Sequence, residues 1–106
     1  MSRLEFDCGV RADHPCLPGH FPGRPIVPGV LLLDQVLAAL QRATRRRIAR
    51  LQRVKFTAAL RPDELAVARC EVDGEQVSFR VCARRDDVEV MLASGSALLL
   101  AAEQVA

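Results

Sequence analysis

Over residues 3–12 of this chain, hydrophobic residues occupy every second position and the residues between them are mostly charged. A period of two is that of a β-strand with one buried face. The apolar positions are Leu4, Phe6, Cys8, Val10 and Ala12. We therefore predict a first strand that covers a core with one of its faces.

The second half of the chain shows the same period in four further segments, which are residues 48–60, 64–72, 76–85 and 88–101. Asp73-Gly74, between two of these segments, is the strongest short signal of a β-hairpin. Residues 60–64 and 84–87 supply the other turns. Gly95, inside the last segment, indicates a bulge. The pattern predicts four antiparallel strands joined by short turns.

One helix is predicted between the first strand and the other four. Pro28 and Gly29 open it, because proline is favoured in the first turn, where its missing N–H is no loss. From Val30 to Ala43 apolar residues occupy nearly every side, so we expect the helix to be enclosed. The arginines within residues 42–47 suit the C-terminal end of a helix.

The segment before this helix, residues 13–28, contains five prolines and two glycines. This composition excludes regular structure. A loop so rich in proline loses little conformational entropy on folding, so it can hold a side chain in a fixed place. We single out His20 on this loop and interpret His14 as a hydrogen-bonding loop residue.

One apolar helix and about five strands have one good burial solution, in which an antiparallel sheet curls around the helix. We predict this α+β architecture as a single domain over residues 1–106, with a second copy covering what one chain leaves exposed. Half of the residues are hydrophobic and the four aromatic residues are all Phe, so the core is mainly aliphatic.

Charge and hydropathy exclude several classes of protein. Fifteen basic and thirteen acidic residues leave a net charge of +2, which is too small to indicate nucleic-acid binding. The N-terminus lacks the features of a secretory signal, and no apolar run approaches the ~20 residues of a membrane helix. We expect a soluble, cytoplasmic protein without a membrane span.

The four cysteines are interpreted as reduced packing residues, since three of them fall in predicted strands and no secretion signal accompanies them. They are Cys8, Cys16, Cys70 and Cys82. An alternative is a metal site formed by Cys8, His14, Cys16 and His20. Because that set lacks the paired spacing of common zinc sites, we predict no metal.

Asp34 is an acid within the apolar helix. Its neighbours one turn away are Val30, Leu31, Leu37 and Ala38, so it has no intrahelical cation to pair with. Desolvation at such a place favours the protonated form. The helix pattern alone leaves two interpretations open, a functional acid or a side chain that points into water or bonds a loop amide.

A neutral carboxyl group donates a proton, and an imidazole with a reference pKa of ~6.5 accepts one. His20 and Asp34 together therefore make an acid–base pair. The free N–H groups of Gly29 and Val30 at the helix start stabilise negative charge on an oxygen. Gly29, lacking a side chain, lets a carbonyl come close. This set suits proton abstraction next to a carbonyl.

The stretch "GHFPGRPIVPGVLLLD", residues 19–34, resembles the signature of the 3-hydroxyacyl-acyl carrier protein dehydratases of the FabA and FabZ type. "VKFTAALRPDEL", residues 54–65, resembles the second strand and following turn of that family. "DHPCLPGHFPG", residues 13–23, resembles a compact, ApeI-like subgroup associated with aryl polyene and other secondary lipid pathways. The resemblance implies the hot-dog fold, a sheet wrapped around one long helix.

By this resemblance His20 is the catalytic histidine, Asp34 the catalytic acid, and Gly29 the amide that holds the thioester carbonyl. Val30 and Phe21 then border the substrate, although Phe21 also suits packing of the loop against the core. The implied reaction is dehydration of (3R)-hydroxyacyl thioesters to trans-2-enoyl thioesters in fatty acid or related lipid synthesis. The family uses no cofactor, because an acyl carrier protein brings the substrate on its phosphopantetheine arm.

The resemblance also implies an obligate homodimer, with the histidine and the acid of each site on different protomers, or a larger assembly of such dimers. Six arginines within residues 42–53 form a basic cluster. It is either a solvated helix end or, through Arg46, Arg47 and Arg50, a docking site for the acidic carrier protein.

One departure from the family is Ala38, where relatives carry Gln; Gln35 and Gln41 are expected on other faces of the helix. This departure keeps open a non-catalytic subunit that binds carriers or completes a heterodimer. A hot-dog thioesterase is the other alternative.

Overall fold

The computed structural model of the protein describes residues 1–9 and 27–101. They form one five-stranded antiparallel sheet and one helix, as the alternation of apolar and polar residues predicts. The elements are β1 (Ser2–Cys8), α1 (Gly29–Thr44), β2 (Ile48–Phe56), β3 (Ala66–Asp73), β4 (Gln76–Arg85) and β5 (Val88–Leu99). The order of strands across the sheet is β1-β3-β4-β5-β2, so β1 and β2 are the two edges. The predicted α+β fold class is confirmed.

The core lies between α1 and one face of the sheet. Along β3 and β4 every second side chain is buried, as the period of two requires. On the helix the buried positions are Leu32, Val36, Ala39 and Leu40, a stripe with the spacing of one helical face. The larger of them share one cluster with Phe79 and Val81 of β4.

The helix is less enclosed than its composition predicts. Val30 is 60% exposed, and Leu33 and Leu37 are only partly buried. Within one chain, therefore, the sheet covers one side of α1 and leaves a second apolar side open. No helix in the described ranges is long and apolar enough to cross a membrane.

The predicted turns are found where expected. In the β3–β4 hairpin Asp73 pairs with Gln76, so Gly74 and Glu75 form the two-residue loop. Gly74 has a φ of 61°, which costs glycine little. In the β4–β5 hairpin Asp86 and Asp87 both have positive φ, as the tight turns that match the twist of the strands require.

An ion pair fixes the turn between β2 and β3. The Arg85 guanidinium donates to both carboxylate oxygens of Glu64, with Nε–Oε2 and Nη2–Oε1 distances of 2.7 Å. The carboxylate also accepts from the backbone N–H of Arg61. The Arg85 guanidinium lowers the pKa of Glu64 from 4.5 to about 2. The turn is thereby tied to the end of β4.

Gly95 marks a bulge, as predicted. It pairs in regular register with Phe79 of β4, but the pairing of β2 with β5 shifts register between Gln52 and Lys55, so that two residues of β2 lie opposite Gly95. A Cβ built on Gly95 would lie 2.6 Å from Cζ of Phe79. The glycine is needed because the buried phenyl ring passes directly over its Cα.

The described cysteines support the packing interpretation. Cys8, Cys70 and Cys82 are free thiols on β1, β3 and β4. Burial raises the pKa of Cys8 and raises that of Cys70 to about 12. A thiol held protonated in this way behaves as a small apolar side chain. Cys16 lies outside the described residues.

Candidate active site

The start of α1 is fixed by the chain on both sides of Pro28. Val27 donates its N–H to the carbonyl oxygen of Leu60 at 2.8 Å. Pro28, with φ −56° and ψ 135°, is the N-cap, and its carbonyl accepts from Leu31 N–H at 3.0 Å. The helix thus begins at Gly29, and its first N–H groups point out of the helix N-terminus. The predicted helix start is confirmed.

An aromatic ring lies against this helix start. A Cβ on Gly29 would approach Cδ1 and Cε1 of Phe56 to 2.8 Å. A side chain at position 29 would therefore displace the Phe56 ring, and glycine also leaves room for a carbonyl that approaches the N–H group. Phe56 ends β2 and is 53% exposed, so its ring forms a solvent-facing apolar wall beside Gly29.

Asp34 lies on the open side of the helix. Its side chain is exposed within the single chain, so the desolvation expected from the helix pattern is absent here. It lines a groove of about 670 Å³ between α1 and β1. The groove walls include the apolar side chains of Phe6, Leu31, Ala38 and Ala39. The expectation that Asp34 is buried within its own chain is therefore wrong.

Gln35, next to Asp34, reaches across to the end of β1. Its Nε2 donates to the carbonyl oxygen of Gly9 at 2.8 Å, and its Oε1 accepts from the N–H of Gly9 at 3.0 Å. Gln35 and Ala38 line the same groove, so the expectation that Gln35 lies on another face is wrong. Gln41 instead accepts from the backbone N–H of Ile48 near the far end of the helix.

The structure brings three of the predicted site residues onto one helix. Gly29 and Val30 form its first turn, and Asp34 follows about 7 Å further along the axis at 1.5 Å per residue. His20 and Phe21 lie outside the described residues, as do His14 and Cys16. Their assignment stays a prediction.

The predicted docking arginines differ in what they contact. Arg46 donates from Nε to the carbonyl oxygen of Leu100 at 2.8 Å and from Nη1 to that of Gly74 at 2.7 Å. Its guanidinium therefore joins the helix end to a hairpin and to the end of β5. Arg47 and Arg50 have exposed side chains. In the described part of the chain, no group of His, Cys, Asp and Glu has the arrangement of a metal site.

Sequence reasoning missed two residues of this site. Phe56 was absent from the candidates although it stands in the quoted stretch "VKFTAALRPDEL", and Gln35 was noted only as lying on another face. A polar residue directly beside Asp34 in an otherwise apolar helix was the available signal for Gln35. Its partner, Gly9, carries no side chain that a pattern could register.

Solved structures with the same fold belong to hot-dog proteins. An uncharacterised protein from Erwinia carotovora matches with a TM-score of 0.79, at 23% identity over 93% of this chain and 83% of that one. The dehydratase heterocomplex ApeI:P from Xenorhabdus doucetiae matches with a TM-score of 0.75, at 22% identity over 92% of this chain and 86% of that chain. The fluoroacetyl-CoA thioesterase FlK matches with a TM-score of 0.61, at 20% identity over 93% of this chain and 85% of that chain. At these identities the likeness shows the hot-dog fold alone.

The sequence itself defines the family. The profile of the ApeI-like dehydratases matches residues 1–96, and the chain therefore belongs to that family. It is also 37% identical over 75 residues to the 3-hydroxyacyl-[acyl-carrier-protein] dehydratase FabZ of Actinobacillus pleuropneumoniae, covering 68% of this chain and 47% of that protein. The chain thus spans about half the length of the curated relatives it matches.

Proposed function

We propose that the protein dehydrates (3R)-hydroxyacyl thioesters carried by an acyl carrier protein. His20 removes a proton from carbon 2, and Gly29 N–H donates to the thioester carbonyl oxygen as negative charge develops there. Asp34 gives its proton to the hydroxyl on carbon 3, which leaves as water. The bonds broken are C2–H and C3–O, and the bond formed is the C2=C3 double bond of the trans-2-enoyl thioester. Exchange with water returns a proton to Asp34 and removes one from His20.

The position of Asp34 is the observation that carries this proposal. Its carboxyl group lines an open groove that has both apolar walls and the charged side chains of Glu5, Asp7 and Arg42, on the helix whose first N–H group belongs to Gly29. The groove supplies room for an acyl chain beside the acid, and membership of the dehydratase family supplies the reaction class.

The open side of the helix supports a dimer. Val30, Leu51 and Phe56 are exposed hydrophobic residues on α1 and β2, and β2 is an edge strand of the sheet that the described residues form. A second protomer on this side would cover these three residues, and if it also extended over the groove beside β1 it would desolvate the Asp34 carboxyl group. We propose a homodimer in which His20 of one protomer acts with Asp34 of the other.

Arg47 and Arg50 are proposed to receive the acidic carrier protein. Arg46 is less suited to this role, because its guanidinium already binds two backbone carbonyls. Charge reversal of Arg47 should raise KM for a carrier-bound substrate and leave KM for a small thioester unchanged. Equal changes in both would remove the docking role.

Single variants test the assignment of the acid and the base. His20→Ala and Asp34→Asn are assayed for hydration of crotonyl and longer enoyl thioesters and for the reverse dehydration. His14→Ala is the matched control for the histidine, and Asp73→Asn, exposed at the end of β3, is the control for the acid. We expect losses of about 100-fold or more in the two site variants and near wild-type rates in the controls. Wild-type rates in either site variant would defeat the assignment.

A second arrangement has a specific observation behind it. One of the matching structures is a heterocomplex of ApeI with P, and this chain has Ala38 where FabA- and FabZ-type relatives carry Gln. The chain would then be one half of a heterodimer, inactive alone. Native mass spectrometry and an activity assay of the purified protein distinguish the homodimer from the heterodimer. A homodimer that is active alone would show that no other chain is needed. Release of free thiol instead of an enoyl product would identify a thioesterase.

A further inference from the structure

The outer face of the sheet, which is turned away from α1, carries charged side chains that are paired on one half only. Along β3 and β4 this face is formed by the side chains that alternate with the buried ones. On β1 and β3 its arginines have glutamate partners. Arg3 binds Glu71, with 3.8 Å between Nε and Oε1. Arg69 binds Glu5 at 3.5 Å and also binds Glu89.

The other half of this face carries three cations without such partners. They are Arg80 on β4 and Arg53 and Lys55 on β2, and their side chains are exposed. Among the residues that the structure describes, none of the three forms an ion pair. These three residues are called the outer-face cations below. Their positive charge is left for a partner to compensate.

The outer-face cations surround a row of small polar side chains. Ser94 of β5 pairs with Arg80 on one side and with Lys55 on the other. Because neighbouring strands are about 4.8 Å apart, the backbones of Arg80 and Lys55 are about 10 Å apart. All three cations line a depression of about 1110 Å³, together with Ser78, Ser94 and Ser96. No residue of α1 lines it, so it lies on the outer face.

The outer-face cations lie close to the start of α1. Lys55 directly precedes Phe56, whose ring lies against Gly29. Successive side chains of a strand point to opposite faces. Lys55 therefore shares the outer face with Ser94, and Phe56 shares the helix-bearing face with the buried Ala93. Since β2 is an edge of the described sheet, the two faces meet at this strand.

We propose that the outer-face cations dock the acidic surface of the acyl carrier protein, and this proposal rests on the proposed function. The carrier would then lie at the edge of β2, from which its phosphopantetheine arm passes Phe56 to reach Gly29. Arg50, already proposed for docking, lies on the same strand. A second protomer packed on the helix side leaves the outer face open. A further copy on the outer face is disfavoured, because cations would face cations, whereas an acidic partner is complementary.

The test measures binding of a bacterial holo acyl carrier protein, which carries phosphopantetheine without an acyl group, by isothermal titration calorimetry. Lys55→Glu and Arg80→Glu reverse single charges on exposed side chains, so the core is not disturbed. Lys55→Gln and Arg80→Gln remove the charge without adding repulsion. Arg3→Glu is the matched control, because Arg3 lines the same depression but lies on the paired half of the face. Each variant is also assayed with carrier-bound and small thioester substrates.

We expect Kd for the carrier to rise at least about tenfold in Lys55→Glu and in Arg80→Glu at low ionic strength, and about twofold or less in Arg3→Glu. The two Gln variants should be intermediate. All these differences should shrink at about 0.5 M salt, where exposed charges are screened. KM for the carrier-bound substrate should rise with Kd, and kcat and KM for a small thioester should stay at the wild-type values.

Several outcomes would overturn the docking surface. Wild-type Kd in the reversed variants would do so, as would equal rises in these variants and in Arg3→Glu. An unrelated protein of similar negative charge that binds as tightly as the carrier would show that the surface has no specific partner. Loss of a larger assembly in Lys55→Glu or Arg80→Glu, measured by analytical ultracentrifugation, would identify a second copy of this chain as the occupant.

The docking surface and the proposed function fail differently, because binding of the holo carrier needs no turnover. If the wild-type protein binds the carrier through Lys55 and Arg80 but forms no enoyl product, only the proposed reaction fails. If the protein dehydrates both substrates and its carrier binding is insensitive to charge reversal at these two residues, only the docking surface fails.

Discussion

Gly95→Ala tests the packing of the core most sharply. The new methyl group would lie 2.6 Å from Cζ of Phe79 and 3.1 Å from its Cε1, about 1 Å closer than ordinary carbon contacts of 3.5–4.0 Å. Phe79 is 2% exposed and belongs to the central cluster, so its ring moves only by displacing other core residues. Overpacking of this kind costs about 1–3 kcal/mol.

A smaller gain opposes this cost. Replacing glycine with alanine in a strand interior restricts the unfolded chain and contributes about 0.5–1 kcal/mol. We therefore expect a net destabilisation of about 1–2 kcal/mol. For a domain of this size that lowers Tm by roughly 4–8 °C per kcal/mol.

The assay is denaturant unfolding followed by far-ultraviolet circular dichroism, at equal protein concentrations because a dimer's stability depends on them. A double-mutant cycle with Phe79→Leu isolates the clash. The double variant should be more stable than the sum of the single changes by about 1 kcal/mol, since the smaller side chain makes room for the methyl group. A Gly95→Ala protein as stable as the wild type, or a cycle with additive energies, would refute the reasoning.

Three further predictions concern single residues. The Arg85 guanidinium lowers the pKa of Glu64 from 4.5 to about 2. The ion pair therefore stabilises the folded protein fully above about pH 4.5, and this stabilisation is lost as the pH falls toward 2. At pH 7 the free energy of unfolding of Glu64→Gln should therefore be about 1–2 kcal/mol lower than that of the wild type, a value reduced because the pair is partly exposed to solvent. This difference should shrink as the pH falls. A difference that does not depend on pH would contradict the pairing. Gly29→Ala should lower kcat more than about tenfold but stability by less than about 1 kcal/mol, since the half-exposed Phe56 ring can turn aside; a large fall in Tm would contradict this. Arg46→Ala should cost about 1 kcal/mol of stability and change carrier-bound and small substrates alike; a selective KM effect would restore Arg46 to the docking site.

Periodicity was sufficient to predict the elements. The turns at 73–76 and 84–87 follow from local chemistry, and the helix start follows from Pro28 and Gly29. β2 ends at Phe56 instead of residue 60, and Leu60 forms an isolated bridge with Val27. Such a bridge depends on tertiary contact and leaves no periodic signal.

The contacts that the sequence did not reveal share one physical cause. Gly95 lies under an aromatic ring of the neighbouring strand, and Gln35 binds a peptide 26 residues away. The pattern of neighbouring residues in the sequence indicates neither of these contact partners. Asp34 was expected to be buried because its helical neighbours are apolar, yet the sheet covers only the opposite side of the helix. Which side of an apolar helix faces the chain's own sheet is decided by packing and not by composition.

Mixing two inactive variants tests the central claim most directly, namely that His20 and Asp34 act together across a subunit boundary. His20→Ala and Asp34→Asn proteins are combined in equal amounts, dissociated and reassociated, and native mass spectrometry confirms the mixed dimer. Random pairing makes about half of the dimers mixed, and each mixed dimer has one intact site, so about a quarter of the wild-type dehydration rate should return. A verified mixed dimer without recovered activity would contradict the shared site.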